Sequence, residues 1–423
     1  MRIEQIILFE QDDAEWLYPF SIMHCSWEMR CGALRLFEKV QKQFPDSKIL
    51  FSSTRKKHLL SFLKRIGCAD QKIKRKNTLA LFSHVLPDDT LWSRISDKFA
   101  KMNDDSDKAT IFVGSGLPFA IYLPSSEMIN PQNSDIDFFP KFITDFGDRF
   151  DKIDIGEINI IRYLWDAIFY NAEAIKDDSR FFEFNDSSDY FKDKSIHYIH
   201  SKSISIGKNV SIAPTVVIDA KDGPVIIGNN VKIMPQATIF GPCFIGDNSV
   251  IKVGAKIYED TSIGEVCKVG GEVESTIIHS FSNKQHDGFL GHSYICEWVN
   301  LGADTNNSDL KNTYGDISVF LRDKQVDTGR MFMGLLCGDH SKSAINTAFN
   351  TGTVAGICGI FVHEGFLANN IPSFAWTGRK NSPIYKFDKA IEVAQKVVSR
   401  RNKELLPEEI ELMKIEYEKI SQK

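Results

Sequence analysis

IGNNVKIMPQATIFGPCFIGDNSVIKVGAKIYEDTSIGEVCKVGGEV, residues 227 to 273, counts in sixes. Ile227, Ile233, Ile239, Ile245, Ile251, Ile257, Ile263 and Val269 recur at that interval without a slip. Four places after each stands a small or β-branched residue: Val231, Ala237, Cys243, Ser249, Ala255, Thr261, Cys267 and Val273. Glycine follows the apolar residue at Gly228, Gly246, Gly264 and Gly270. A helix repeats at about 3.6 residues and a half-buried strand at about two, so neither produces this period. Short flat faces, one hexad each, wound into stacked coils around an apolar interior do produce it, and the stretch reads as a parallel β-helix. Upstream, Ile206 with Val210 and Ile212 with Val216 begin the same pattern, and the nine-residue step from Ile218 to Ile227 leaves room for a bulge at a corner. Downstream, Ile345, Thr351 and Ile357 resume the hexads after an interruption at 306 to 335.

A chain of 423 residues is long for one domain, and two or three are expected. The apolar fraction of 43% and charged fraction of 25% support a sizeable globular core. A net charge of −5 with no long basic run argues against a nucleic-acid partner. No apolar stretch approaches a membrane span, and MRIEQIILFEQDD carries acids where a signal peptide is apolar, so the expected compartment is the cytoplasm. Eight cysteines form no C-x-x-C pair, and Cys243 and Cys267 occupy the small position of the repeat, which suits reduced buried thiols rather than disulfides or zinc.

Before the repeat, strands are expected at Ile6 to Phe9, Ile49 to Phe51, Thr78 to Phe82 and Thr110 to Val113. Helices are expected from Ala33 to Phe44, along the face Leu59, Leu60, Phe62, Leu63 and Ile66 that stops at Gly67, and from Asn159 to Asp178. The alternation implies a mostly parallel α/β sheet. Gly114-Ser115-Gly116 lets a backbone approach a phosphate, but as a lone G-x-G it reads more simply as a turn. Residues 125 to 155 read as a long loop. After the repeat, Ser382-Pro383 closes the coil, and Asp388 to Lys403 and a segment from Pro407 to about Ile420 read as a helical hairpin. The domains are therefore placed at 1–195, 196–380 and 381–423.

Where the repeat loosens, residues 270 to 314 read GGEVESTIIHSFSNKQHDGFLGHSYICEWVNLGADTNNSDLKNTY. With GDHSKSAINTAFNTGTVAG at 338 to 356 and IPSFAW at 371 to 376, this resembles the acetyltransferase half of the bifunctional glucosamine-1-phosphate N-acetyltransferase and UDP-N-acetylglucosamine diphosphorylase family. It is most similar to the variant with a shortened, divergent nucleotidyltransferase domain. WDAIFYNAEAIKDD at 165 to 178 resembles the family's W-D-x-x-x-x-N-G-E-x-I pattern, with Ala172 in place of glycine. LYPFSIMHCSWEMRCG at 17 to 32 keeps only Pro19, Arg30 and Gly32 of the L-L-P-x-T-x-T-R-P-x-x-x-x-R-x-G pattern, and the G-x-G-T-x-M loop is absent. The resemblance implies an α/β nucleotidyltransferase-like domain, then a left-handed β-helix acting on an amino-sugar phosphate with acetyl-CoA as cosubstrate, assembled as a homotrimer. Mg2+ is implied only if the front domain handles UTP.

The same resemblance points to His286 as general base, since imidazole titrates near neutrality and an amine proton must leave as the thioester is attacked. A backbone amide near Gly302 and Ala303 is the expected oxyanion donor. Asn283, Lys284, Asn300, Asn306, Asn307 and Lys311 concentrate polarity that a coil does not need for packing, and suit a phosphorylated sugar. Phe289 stands where related enzymes often carry tyrosine, and Asp309 where asparagine is common. Lys342, Arg379 and Lys380 are the cations expected to meet cosubstrate phosphates. Two histidines, His292 and His340, stay open as further members, and zinc, which needs three converging histidines, is not expected. The alternatives are a nucleotidyltransferase with an architectural β-helix, and a trimeric scaffold or sugar-nucleotide sensor.

Overall fold

The computed structural model describes residues 3–10, 12–68, 71–101, 108–126, 150–185, 189–378 and 384–422. The chain divides into two compact units. The first comprises Met1–Trp16, His24–Met29 and Leu34–Arg162, and the second Leu17–Met23, Arg30–Ala33 and Tyr163–Lys423.

In the first unit, β1 (Gln5–Glu10), β2 (Lys48–Ser53) and β3 (Thr78–Phe82) are short apolar runs buried on both faces, and they pair in parallel. The connections α1 (Leu36–Gln43) and α2 (Lys56–Arg65) cross between β1 and β3, and α3 (Asp89–Lys101) follows. Beyond β3 the sheet is mixed rather than mostly parallel. β4 (Thr110–Gly114) turns back into β5 (Leu117–Leu123), which runs antiparallel to both β3 and β4. Ser115 and Gly116 have φ of 47° and 75°, the consecutive left-handed pair a two-residue hairpin demands, so the G-S-G is a turn. The loop read for 125 to 155 lies mostly outside the described residues, but its end forms β6 (Asp151–Asp154), giving the order β2-β1-β3-β5-β4-β6. Trp27, Phe37, Phe51 and Phe62 stack edge-on or tilted at 4.7 to 6.1 Å in its core.

The second unit is a left-handed parallel β-helix whose three faces are sheets of six, nine and five strands. Each residue of the hexad series sits above its counterpart one coil away: Ile206, Ile227, Ile245 and Ile263 on one face, Ile212, Ile233, Ile251 and Val269 on the next. Their side chains are at most 2% exposed from Ile227 onward, as the period requires. The later hexads differ in register from Ile345, Thr351 and Ile357. Ser343, Phe349, Ala355 and Phe361 fill the interior instead, and Ile345 lies on the surface at 68% exposure. Two six-residue series coexist in this run, and only pairing with the preceding coil selects one. The interruption is an antiparallel arm, Ser318–Leu321 against Lys324–Asp327.

The helix Leu164–Asp178 docks on the coil through Asn171, whose Oδ1 accepts from the Gly32 amide (2.7 Å) and Ser262 Oγ (3.0 Å). Arg30, fully buried, donates from Nη2 to both carboxylate oxygens of Glu265 at 2.6 and 2.8 Å. The motif remnants Arg30 and Gly32 thus hold their segment to the β-helix. At the C-terminus, helices Phe387–Ser399 and Pro407–Ser421 form the expected hairpin, fastened where Arg322 and Ser373 donate to Glu416 at 2.9 Å. Ser382-Pro383 lies outside the described residues. Among the described residues no helix is long and apolar enough to cross a membrane.

Candidate functional site

A triangular coil turns three times per winding, and each corner needs a residue with positive φ. Along one corner asparagine supplies it at Asn209, Asn230 and Asn248, whose side chains hydrogen-bond in a ladder at 3.3 and 3.2 Å. Farther along, bulky rings are held there instead: Phe281, Trp298 and His340, with φ of 64°, 62° and 60°. Phe and Trp rarely adopt this conformation, and for them it is strained. The rings stack, Phe281 on Trp298 at 4.3 Å and 7°, and Trp298 beside His340 at 6.1 Å and 9°.

Two residues past each ring the strand begins, and stacking of coils places Lys268, Asn283, Asn300 and Lys342 in one outward column. The aromatic corner, this column, Gln285 and the end of helix Phe387–Ser399 with its following residues enclose a cleft of about 260 Å³. Its lining is Lys268, Phe281, Asn283, Gln285, Trp298, Asn300, Lys342, Val397, Arg400 and Arg401, four cations and no acid. Lys342 Nζ donates to the His340 carbonyl at 2.7 Å, and burial lowers its pKa. Burial also lowers that of Lys268, with Arg401, Lys252 and Arg400 adding repulsion. Asn283 Oδ1 is buried with no hydrogen-bond partner among the described residues. Cations that repel one another at close range, beside flat rings, suit a polyanion carrying a planar group.

The structure brings Asn283, Asn300 and Lys342 together here, and separates them from others expected at the site. Lys284 points into the coil, 2% exposed, and donates to the carbonyls of Gly270 (3.1 Å) and His286 (3.0 Å). Asn307 is likewise interior, bonded to the Gly291 amide and carbonyl. Asn306 accepts from the Phe289 amide at 2.8 Å, and Lys311 donates to the Asp316 carbonyl within its own loop. Asp309 accepts from His292. The Gly302 amide is occupied by Ser343 Oγ at 2.9 Å, whereas the Ala303 amide makes no hydrogen bond among the described residues. Arg379 and Lys380 lie outside the described residues. His286 is exposed at the corner next to Gln285. The rings of the corner had a signal in the sequence: Phe281, Trp298 and His340 each precede, by two places, one of the polar residues Asn283, Asn300 and Lys342. Arg400 and Arg401 had none.

At the carboxyl ends of β1 and β2 in the first unit, where parallel sheets commonly bind ligands, the two buried acids Glu10 and Glu28 are already engaged. Glu10, fully buried, accepts from Arg55 (2.9 Å), the Ser26 amide (2.8 Å) and Ser53 Oγ (2.6 Å). Burial pushes its carboxyl up, but Arg55 and these donors hold it below the usual range. Glu28 is taken by Arg65 and the Cys25 amide. A Mg2+ ion needs free carboxylate oxygens, and neither residue fits that need.

Residues 6–186 match the sugar nucleotidyl transferase family. The chain is 31% identical over 111 residues to a bifunctional sugar-1-phosphate nucleotidylyltransferase/acetyltransferase of Sulfurisphaera tokodaii, covering 26% of this chain and 27% of that protein. It is 27% identical over 175 residues to an uncharacterized acetyltransferase, YaiX, of Escherichia coli, covering 41% and 76%. It is 26% identical over 183 residues to the bifunctional protein GlmU of Methanococcus aeolicus, covering 43% and 42%. The chain thus spans about a quarter of the first relative's length and less than half of the third's. Among solved structures, the LpxA UDP-N-acetylglucosamine acyltransferase of Bacteroides fragilis aligns with a TM-score of 0.33 at 19% identity, over 48% of this chain and 77% of that one. The resemblance read from the sequence is borne out by these relatives.

Proposed function

From its kinship with bifunctional sugar-1-phosphate nucleotidylyltransferase/acetyltransferases, we propose that the chain transfers an acetyl group from acetyl-CoA to the amine of an amino-sugar phosphate such as glucosamine-1-phosphate. The observation that carries this is the acid-free cleft of Lys268, Lys342, Arg400 and Arg401 beside stacked Phe281 and Trp298. Acyl-CoA offers what it asks for, several phosphates and a flat base, on an arm long enough to bring the thioester around the corner. The neighbouring face, bounded by His286 and His292, takes the acceptor, and the Ala303 amide supplies a donor for the oxyanion. The nucleotidyltransferase-like front domain is assigned no transfer of its own, because Glu10 and Glu28 are spent on arginines. A cytoplasmic homotrimer is the assembly this reading entails.

The test is thiol release from acetyl-CoA with glucosamine-1-phosphate, comparing wild type with Arg400→Ala/Arg401→Ala. Turnover is expected in the wild type. Loss of two charge-assisted phosphate contacts, about 1.5–3 kcal/mol each at most, should raise the KM for acetyl-CoA at least about tenfold with little change in kcat. An unchanged KM would remove the cleft from the reaction. No turnover in folded wild type would point to the sensor alternative, checked by binding of UDP-sugars.

A further inference from the structure

A phosphorylated acceptor on the face of the strand Phe289–Gly291 needs a cation within reach. The lysines near this face are already spent. Lys284 points into the coil, and Lys311 donates within its own loop. Lys256, two coils away on the same face, pairs with Glu272 at 3.8 Å, and Lys176 pairs with Glu173 at 2.8 Å. Arg330 differs from all of these. It is exposed, and among the described residues its guanidinium makes no ion pair and no hydrogen bond.

Its position is nevertheless fixed. The Arg330 carbonyl accepts from the Ile317 amide at 2.9 Å, and its own amide donates to Thr328 Oγ1 at 3.1 Å. The guanidinium carbon lies 4.3 Å from the centre of the Phe169 ring. A ring face holds the flat guanidinium without using its N–H groups, which stay free to donate at its edge. Phe169 in turn lies 6.3 Å from the His292 ring, and His292 is stacked on Phe332 at 5.0 Å and 23°. The amides of Met333 and Gly334 donate to the carbonyls of Asp309 and His292 at 2.8 and 2.9 Å, which pins the return of the arm to the coil. Phe332 is left 39% exposed.

These rings separate two kinds of charge. Asp309 is 2.8 Å from His292, and Asp260 and Glu274 are within electrostatic reach of that histidine, while Arg330 stands beyond Phe169. Carboxylates accept from hydroxyls and ammonium groups, a guanidinium edge donates to phosphate, and apolar ring faces take the carbon skeleton between them.

Resting on the acyltransferase function above, we propose that Arg330 binds the phosphate of the acceptor and makes the enzyme select a phosphorylated amino sugar over the free sugar. Phe169 and Phe332 carry the sugar ring, and the amine is turned toward His286 at the other end of the strand. The arm Ser318–Asp327, whose return places Arg330, is then part of the acceptor site.

The experiment measures thiol release with glucosamine-1-phosphate and with glucosamine, in wild type, Arg330→Gln and Arg330→Lys, with folding followed by circular dichroism. Wild type is expected to prefer the phosphorylated sugar. Arg330→Gln should raise the KM for glucosamine-1-phosphate at least about tenfold, the loss of a charge-assisted contact, and leave those for glucosamine and acetyl-CoA within about twofold. Arg330→Lys keeps the charge without the planar fork and should fall between. An unchanged KM in Arg330→Gln, an equal rise for both acceptors, or a wild type without preference overturns the phosphate site while the acyltransferase reading stands. If folded wild type turns over neither acceptor, the acyltransferase reading fails. Calorimetry then decides the site alone: glucosamine-1-phosphate bound by wild type and lost in Arg330→Gln upholds it, and equal binding or none overturns it.

Discussion

Lys284 occupies an inward slot that Val269 fills one coil earlier. Burial lowers its ammonium from an ordinary 10.5 to about 8, although its Nζ has two carbonyl acceptors. The unfolded chain therefore binds this proton at a higher pH than the folded one. Stability is complete above about 10.5, declines as pH falls toward 8, and carries the full penalty below that, on the order of 3 kcal/mol. Replacing Lys284 with methionine should make urea unfolding less pH-dependent between 7.5 and 10 and raise stability at the lower end. Equal slopes in mutant and wild type would mean the amine is hydrated. In the sequence Lys284 looked like a phosphate ligand because it is a cation among asparagines. Its direction is set by strand alternation in the coil, which its neighbours Asn283 and Gln285 obey by pointing the other way.

At the scale of elements, the corners decide what the faces display. Where asparagine takes the left-handed position the corner is cheap, and where Phe281 and Trp298 take it the rings form one wall of the cleft. Trp298→Asn should keep the corner, since asparagine tolerates positive φ, and remove the stack. Affinity for CoA is expected to fall by about 1–3 kcal/mol, the range of base–aromatic stacking, with a melting temperature lowered by only a few degrees, as calorimetry and titration can show. Unchanged affinity would restrict the rings to packing. The hexads from Ile227 to Val269 were legible because every winding repeats the same demand. The later ones were not, because the arm at Ser318–Asp327 resets the count, and Ile345 and Ser343 compete as anchors until the preceding coil chooses.

Across the whole molecule, the two units put their polar groups to different uses. In the first, Glu10 and Arg55 neutralise each other in a dry interior, so Arg55→Ala should strand a buried carboxylate and cost about 3–5 kcal/mol, read as an earlier urea transition of the first unit. Glu10→Gln in the same background should recover much of that loss. Failure to recover would show that Arg55 acts through packing. In the second, Lys268, Lys342, Arg400 and Arg401 face no acid in their cleft and wait on an outside anion. The period of six by itself determined a stacked coil and its interior, because repeated burial writes the same residue type at the same interval, and helical spacing with a proline start determined the hairpin after it. Only the tertiary structure decided which polar residues share a site. Asn283 and Asn300 meet Arg400 a hundred residues later, and His292 meets Asp309 rather than His286, because adjacency in a coil depends on the length of each winding and on what packs across it.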